Sequence, residues 1–312
     1  MTTALVFPGQ GSQTVGMGKA LAEAFPASRE VFDRVDEALG EKLSQLIFEG
    51  PEAELTLTAN AQPALMATSM AALRALETNK GLDVAKATFV AGHSLGEYSA
   101  LCAAGALSIE DAARLLRIRG QSMQKAVPVG QGAMAAILGL EFPTVAEIAA
   151  MAAAETGAVC EAANDNGGGQ VVISGAKAAV EKAMELARQK GAKRALPLPV
   201  SAPFHCALMS PAAEAMREAL AGAALHTPKA PLVANFSAKP LTDPAAIKQS
   251  LVDQVTGTVR WRDSVAFMTG QGVTHFVEIG AGKILASLVK RIAKDVSAVS
   301  VGAPADVEAF TN

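Results

Sequence analysis

Glycine stands on both sides of a serine in Gly92-His93-Ser94-Leu95-Gly96, between an apolar run at residues 87–91 and a helix-forming run that begins at Glu97. A strand that turns sharply into a helix strains the backbone at the turn, and side chains at the flanking positions would collide there; glycine removes the collision. The pattern restricts this segment to strand, elbow and helix, with the Ser94 hydroxyl held clear of a sheet. The helix behind the elbow turns unpaired N–H groups and a positive dipole end toward any anion formed at that oxygen, which suits acyl transfer through an oxyanion.

The rest of the chain reads as alternating strand and helix. Residues 4–7 form a buried-strand pattern closed by Pro8-Gly9-Gln10-Gly11-Ser12, and helical periodicity runs over residues 17–39, 41–49, 60–79 and, with a charged outer face, 109–125. Between Pro128 and Pro199 the order changes to strand 133–140, helix 144–156, strand 159–163, the turn Asn166-Gly167-Gly168-Gly169, strand 170–174, helix 178–190 and extended chain 193–200. That βαββαβ order is the split, ferredoxin-like arrangement. Helix 210–223, strand 232–235, helices 245–254 and 262–270, a last strand at 275–279 and helix 284–294 complete the chain. The expected architecture is α/β: an α/β-hydrolase-like catalytic subdomain of residues 1–127 and 200–312, with a ferredoxin-like small subdomain of residues 128–199 inserted into it.

Composition excludes several partner classes. Half of the 312 residues are hydrophobic, enough for a large core, while the net charge of −3 and the lack of a Lys/Arg cluster argue against nucleic-acid binding. No apolar run is long enough for a bilayer, and Met1-Thr2-Thr3 leads into a strand without a basic or long apolar leader, so no membrane partner is expected. Cys102, Cys160 and Cys206 are odd in number and lack zinc-ligand spacing; we expect buried free thiols, no metal, a reducing compartment and a cytoplasmic location.

A serine nucleophile needs a base, and the chain has four histidines. His93 follows a strand and is expected on the opposite side from Ser94; His226 lies in a surface loop, and His275 starts a strand where packing explains it. His205, in Ser201-Ala202-Pro203-Phe204-His205-Cys206, remains as the base. No carboxylate stands out as a third member, since Asp and Glu near these positions read as exposed helix faces, and a backbone carbonyl could orient the imidazole instead. The Pro8–Ser12 loop lacks the third glycine of a dinucleotide fingerprint and the Lys-Ser/Thr pair of a phosphate loop, so it reads as an oxyanion loop, with Gln10 as candidate donor.

Phe7-Pro8-Gly9-Gln10-Gly11-Ser12-Gln13, Gly92-His93-Ser94-Leu95-Gly96-Glu97-Tyr98, Arg117-Ile118-Arg119-Gly120, Phe204-His205 and Gly280-Ala281-Gly282-Lys283, in this order over almost the whole chain, resemble the malonyl-CoA:acyl carrier protein transacylase family. The resemblance implies that Ser94 takes malonyl from coenzyme A and passes it to the phosphopantetheine thiol of acyl carrier protein in fatty-acid synthesis, with no permanently bound cofactor. It implies His205 as base, backbone N–H groups of Gln10 and Leu95 as the oxyanion hole, the Gln254 carbonyl as orienter of His205, and Arg119 as holder of the free malonyl carboxylate. A guanidinium suits that role because it makes two parallel charge-assisted hydrogen bonds and stays ionised when buried, although spacing alone does not choose Arg119 over Arg114 or Arg117, which read as a solvated helix face. By the same resemblance Asn164 and Asn166 line the pantetheine groove, and the Phe204 ring crowds the space of an α-methyl group. The expected partners are acyl carrier protein and the coenzyme A thioester, and the expected state is a monomer. A serine hydrolase or thioesterase, and a non-catalytic module that docks carrier protein, are the competing readings.

Overall fold

The computed structural model describes residues 2–311. Its strands, in chain order, are β1 (Thr3–Phe7), β2 (Phe89–Gly92), β3 (Gly132–Leu138), β4 (Cys160–Asp165), β5 (Gln170–Ala176), β6 (Arg194–Pro197), β7 (Leu232–Val233), β8 (Pro240–Leu241), β9 (His275–Ile279) and β10 (Ser297–Val301). They form two sheets, a six-stranded one in the order β10-β9-β1-β2-β7-β8 and a four-stranded one in the order β4-β5-β3-β6.

In the larger sheet every pairing is parallel except β7 with β8. Parallel strands buried on both faces read as unbroken apolar runs, and β1 shows why: Leu5 and Phe7 enter one core with the long helix Thr58–Lys80, while Ala4 and Val6 enter the other with Trp261 and Phe276. Strand β10 lies beyond the strand at 275–279 that the sequence suggested as the last; its alternating exposed and buried residues mark an edge strand, a weaker signal than a continuous apolar run. The helix expected over 17–39 is two, Lys19–Ala24 and Pro26–Leu39. Pro26 excludes helical backbone at Phe25, which sits at φ −128°, ψ 115°.

Helix Thr58–Lys80 is buried almost all round and carries Pro63 inside it. Proline removes the N–H that would bond the carbonyl four residues earlier, that of Ala59; an Arg117 Nη1 group donates to that oxygen at 2.6 Å instead. Arg117 also ion-pairs with Glu41 and is largely buried, so it does not belong to a solvated face, whereas Arg114 is half exposed and pairs with Asp111. Helix Ile109–Ala126, which carries both arginines, approaches helix Thr58–Lys80 closely because residue 120 is glycine: a Cβ there would lie 2.6 Å from the Thr58 carbonyl oxygen.

The smaller sheet is antiparallel throughout, and the two-residue period divides its faces. Ala135, Ile137, Val171 and Ile173 pack under helices Phe142–Thr156 and Lys177–Gln189, while Met134, Ala136, Gln170 and Val172 face a cleft between the two sheets. Residues 258–260 run beside β4, with Val259 N–H donating to Ala163 O at 2.8 Å and Asp165 N–H to Val259 O at 2.9 Å. That seam ties the small sheet to helix Pro244–Thr256. Among the described residues no helix is long and apolar enough to cross a membrane, and no group of three or more His, Cys, Asp or Glu could hold a metal ion.

Candidate active site

The elbow forms where β2 ends. Ser94 has φ 54°, a left-handed backbone that costs a non-glycine residue roughly 1–3 kcal/mol. Its neighbours enforce it: a Cβ on Gly92 would lie 1.9 Å from the Gly96 carbonyl oxygen, and one on Gly96 would lie 2.2 Å from the Phe7 carbonyl oxygen. The Ser94 hydroxyl opens into a cleft of about 860 Å³ whose lining includes Gln10, Leu95, Arg119, Asn164, Asn166, Phe204 and His205.

His205 stands opposite, with φ 58°, in the loop that leads into helix Ser210–Gly222. Its Nε2 lies 2.8 Å from Ser94 Oγ, and its Nδ1 lies 2.8 Å from the Gln254 carbonyl oxygen. A carbonyl only accepts, so Nδ1 carries the proton and the Nε2 lone pair faces the serine hydroxyl. Burial, and next the Arg119 charge, push the imidazole down to about 3, so it is neutral near pH 7. The orienting group is a main-chain oxygen at the end of helix Pro244–Thr256, and no carboxylate takes that place.

Arg119 is the charged centre of the site. It is 1% exposed, donates from Nη1 to Gln62 Oε1 at 2.7 Å and from Nη2 to Ser94 Oγ at 3.1 Å and Gln254 Oε1 at 2.9 Å, and lies over the Tyr98 ring at 5.8 Å. Its Nε is buried and, among the described residues, without a partner. Burial lowers its pKa from the ordinary value, yet a guanidinium stays charged. A buried cation held by neutral amides, and not by a carboxylate, leaves an anion hole open beside Ser94.

Gln10 and Leu95 line the cleft together with Ser94, and among the described residues neither main-chain N–H is taken up in a hydrogen bond. The Gln10 side chain accepts from Thr58 Oγ1 at 2.9 Å, and Thr58 accepts from Gln62, which joins the glycine loop to the Arg119 cluster. The loop Gly280-Ala281-Gly282-Lys283 lies beside Ser12, but the helix behind it is not open to an anion. Glu278 already accepts from the Leu285 and Ala286 amides at 3.1 and 2.8 Å.

Asn164 and Asn166 are buried on the cleft wall, and Phe204 packs beside His205 against the core. His93 corrects the expectation that it points away. Its ring lines the same cleft, 2.9 Å from Asn166 Oδ1 and 5.9 Å from the Trp261 ring, because strand alternation stops at Gly92 and the turn sets the next side chains. Burial lowers its pKa. His226 is exposed, and His275 is spent on Ser297 at 2.6 Å, as their places in the sequence suggested.

Sequence reasoning missed Gln62, Asn235 and Glu97. Asn235 Oδ1 accepts from the Ser94 main-chain N–H at 2.7 Å, and its Nδ2 donates to the Gly92 carbonyl at 2.7 Å, so one side chain clamps the elbow from the segment after β7. Glu97 is completely buried, against the reading of nearby carboxylates as exposed helix faces. Helix Gly96–Ala103, which carries it, is buried along its whole length, and a helix without a polar face has nowhere to expose a charge.

Residues 4–306 match the acyl transferase domain family. The chain is 48% identical over 305 residues to a malonyl CoA-acyl carrier protein transacylase of Bacillus subtilis, covering 98% of this chain and 95% of that protein. It is similar to the crystal structure of an acyl-carrier-protein S-malonyltransferase from Bartonella henselae, with TM-score 0.96, 58% identity, and 99% and 98% of the two chains covered. A malonyl-transacylase in complex with a type II PKS acyl-carrier protein also matches, with TM-score 0.94, 44% identity, and 99% and 98% covered.

Proposed function

This chain belongs to the acyl transferase domain family, and on that premise we propose that it moves a malonyl group from malonyl-CoA to the phosphopantetheine thiol of acyl carrier protein, by way of a malonyl ester on Ser94. The observation that carries the reading is the buried Arg119 guanidinium with a hydrogen-bonding edge 3.1 Å from the nucleophile. A general esterase has no use for a cation there; an acyl group that ends in a carboxylate does.

In the first half-reaction His205 Nε2 takes the Ser94 proton as Oγ attacks the thioester carbonyl. The oxyanion lies against the Gln10 and Leu95 amides, the malonyl carboxylate lies on Arg119, and the C–S bond breaks as the imidazolium returns its proton to the coenzyme A thiolate. In the second half the carrier's thiol gives its proton to His205 and attacks the Ser94 ester; the tetrahedral adduct releases Oγ, which recovers the proton. The Gln254 carbonyl holds the imidazole in the tautomer both halves need. These steps use side chains and the two thiols and require no cofactor. The Asn164 and Asn166 amides supply polar contacts for the pantetheine arm, and Phe204 disfavours an α-methyl by the space its ring fills. One methyl is worth about 1–3 kcal/mol of discrimination.

The same proposal covers architecture and setting. Residues 1–127 and 200–312 make an α/β-hydrolase-like catalytic subdomain and residues 128–199 a ferredoxin-like insert, a division supported by the parallel and antiparallel sheet orders. The protein acts as a cytoplasmic monomer in fatty-acid synthesis, with its three cysteines as free buried thiols. Intact-protein mass measurement with malonyl-CoA, followed by pantetheinylated carrier protein, tests the reading. The expected result is a malonyl adduct that moves to the carrier. An adduct lost only to water would make the protein a hydrolase, and no adduct would remove it from this chemistry.

A further inference from the structure

Glu97 is the one fully buried carboxyl touching the site's hydrogen-bond network among the described residues, and the steps above leave it without a task. Its Oε2 accepts from the Asn235 main-chain N–H at 3.0 Å and from Gln254 Nε2 at 2.8 Å, while Oε1 is buried and, among the described residues, without a partner. Burying a carboxyl this way is costly, and a glutamine of the same shape would avoid most of the cost.

What a carboxylate supplies and an amide does not is a group that only accepts. Facing it, the Gln254 amide must turn Nε2 inward, where it also donates to the Ser94 carbonyl at 3.0 Å, and must leave Oε1 outward for Arg119 Nη2 at 2.9 Å. The reverse orientation would set an NH2 group against the guanidinium and Oε1 against three oxygens, those of Glu97 Oε2, the Ser94 carbonyl and Asn235 Oδ1, of which only the Glu97 oxygen carries a charge when ionised. Gln254 also carries the main-chain oxygen that holds His205, so one residue touches the base, the cation and the elbow. We propose that Glu97 is a positioning residue for the transfer: by fixing which end of the Gln254 amide faces Arg119, it holds the guanidinium ready for the substrate's carboxylate.

The inference rests on the malonyl reading of the site. The groups that face Glu97 are Arg119 from helix Ile109–Ala126, Gln254 from helix Pro244–Thr256, Asn235 after β7 and its neighbour Tyr98, with His205 beyond Gln254. Desolvation raises the Glu97 carboxyl to about 7, against the pull of its donors and of Arg119. Within the range where the enzyme is assayed it therefore passes from an acceptor to a donor-bearing acid, while His205, at about 3, does not titrate.

The experiment compares wild type with Glu97→Gln, using malonyl-CoA and acetyl-CoA as donors and measuring the rate of Ser94 acylation by intact mass between about pH 5 and pH 9. We expect kcat/KM for malonyl-CoA to fall about 10-fold or more in the variant, and that for acetyl-CoA by less than about 3-fold, because acetyl does not use Arg119. The wild-type malonyl-to-acetyl ratio should drop as pH falls through about 7, and the variant's should be flat. Equal loss with both donors, or no loss, overturns the proposal while leaving the transferase reading intact. A wild type that forms no malonyl ester overturns both. Should Glu97→Gln not fold, the wild-type ratio decides: a step near 7 supports the role and a flat ratio rejects it.

Discussion

Two non-glycine residues in the cleft hold left-handed backbone, Ser94 at φ 54° and His205 at φ 58°, and they are held there by different means. The serine's conformation is set by residues two positions away, since Gly92 and Gly96 are the positions where any Cβ would strike the backbone of the turn or of β1. The histidine has no such local frame. It is fixed by a carbonyl 49 residues away and by the packing of Phe204 and Cys206 around it. The serine's place can thus be built by local stereochemistry, whereas that of the histidine paired with it is set by the assembled fold.

The largest effect that separates the two is chemical. Ser94→Ala should cut transfer by roughly 10⁴-fold or more and abolish the covalent malonyl adduct, with little change in melting temperature, because the elbow's glycines remain. An adduct that persists in the variant would move the nucleophile elsewhere. Gly92→Ala should do the opposite. A Cβ 1.9 Å from the Gly96 oxygen cannot be accommodated without opening the elbow, so we expect a loss of about 4 kcal/mol or more in chemical denaturation, or no soluble protein. A variant as stable as wild type would show that the elbow is not locally enforced.

This division explains what was legible in the sequence. The elbow, the glycine loop carrying Gln10 and the βαββαβ order of residues 128–199 are patterns of near neighbours, and each reappears in the structure. His205 came by elimination among four histidines, and Gln254 only by resemblance, because nothing local tells a helix-end carbonyl that it will meet an imidazole. Gln62, Asn235 and Glu97 meet from three separate segments, and their spacing in the chain carries no trace of that meeting. Arg117 was misread for a similar reason: its partner, the Ala59 carbonyl, is left open by a proline in another helix.

Arg119 sharpens the comparison, since it touches Ser94, Gln62 and Gln254 together. Arg119→Ala should lower kcat/KM for malonyl-CoA by roughly 10²-fold, as for a charged hydrogen-bonding partner lost in a buried site, while acetyl-CoA is used as well as before or better. Equal loss on both donors, in steady-state assays, would assign the residue to scaffolding and remove its carboxylate role.

The smallest effect lies in stability against pH, where two buried groups pull in opposite directions. His205 has a folded value of about 3 against an ordinary 6.5, so the unfolded chain binds more protons between them and stability falls as pH drops through that window. Glu97 has a folded value of about 7 against 4.5, so the folded chain binds more protons and stability falls as pH rises through that window. From 4.5 to 6.5 the two slopes, each at most about 1.4 kcal/mol per pH unit, offset one another in wild type. His205→Ala removes one of them. Measured by denaturation as a difference from wild type, that variant should become relatively more stable as the buffer is taken down from pH 7 toward 4.5, because the contributions both proteins share, those of Glu97 and of the buried His93 among them, cancel. A variant that tracks wild type over this range would mean that His205 takes up a proton as readily in the folded chain as in the unfolded one, and would remove the claim that burial and Arg119 keep it neutral.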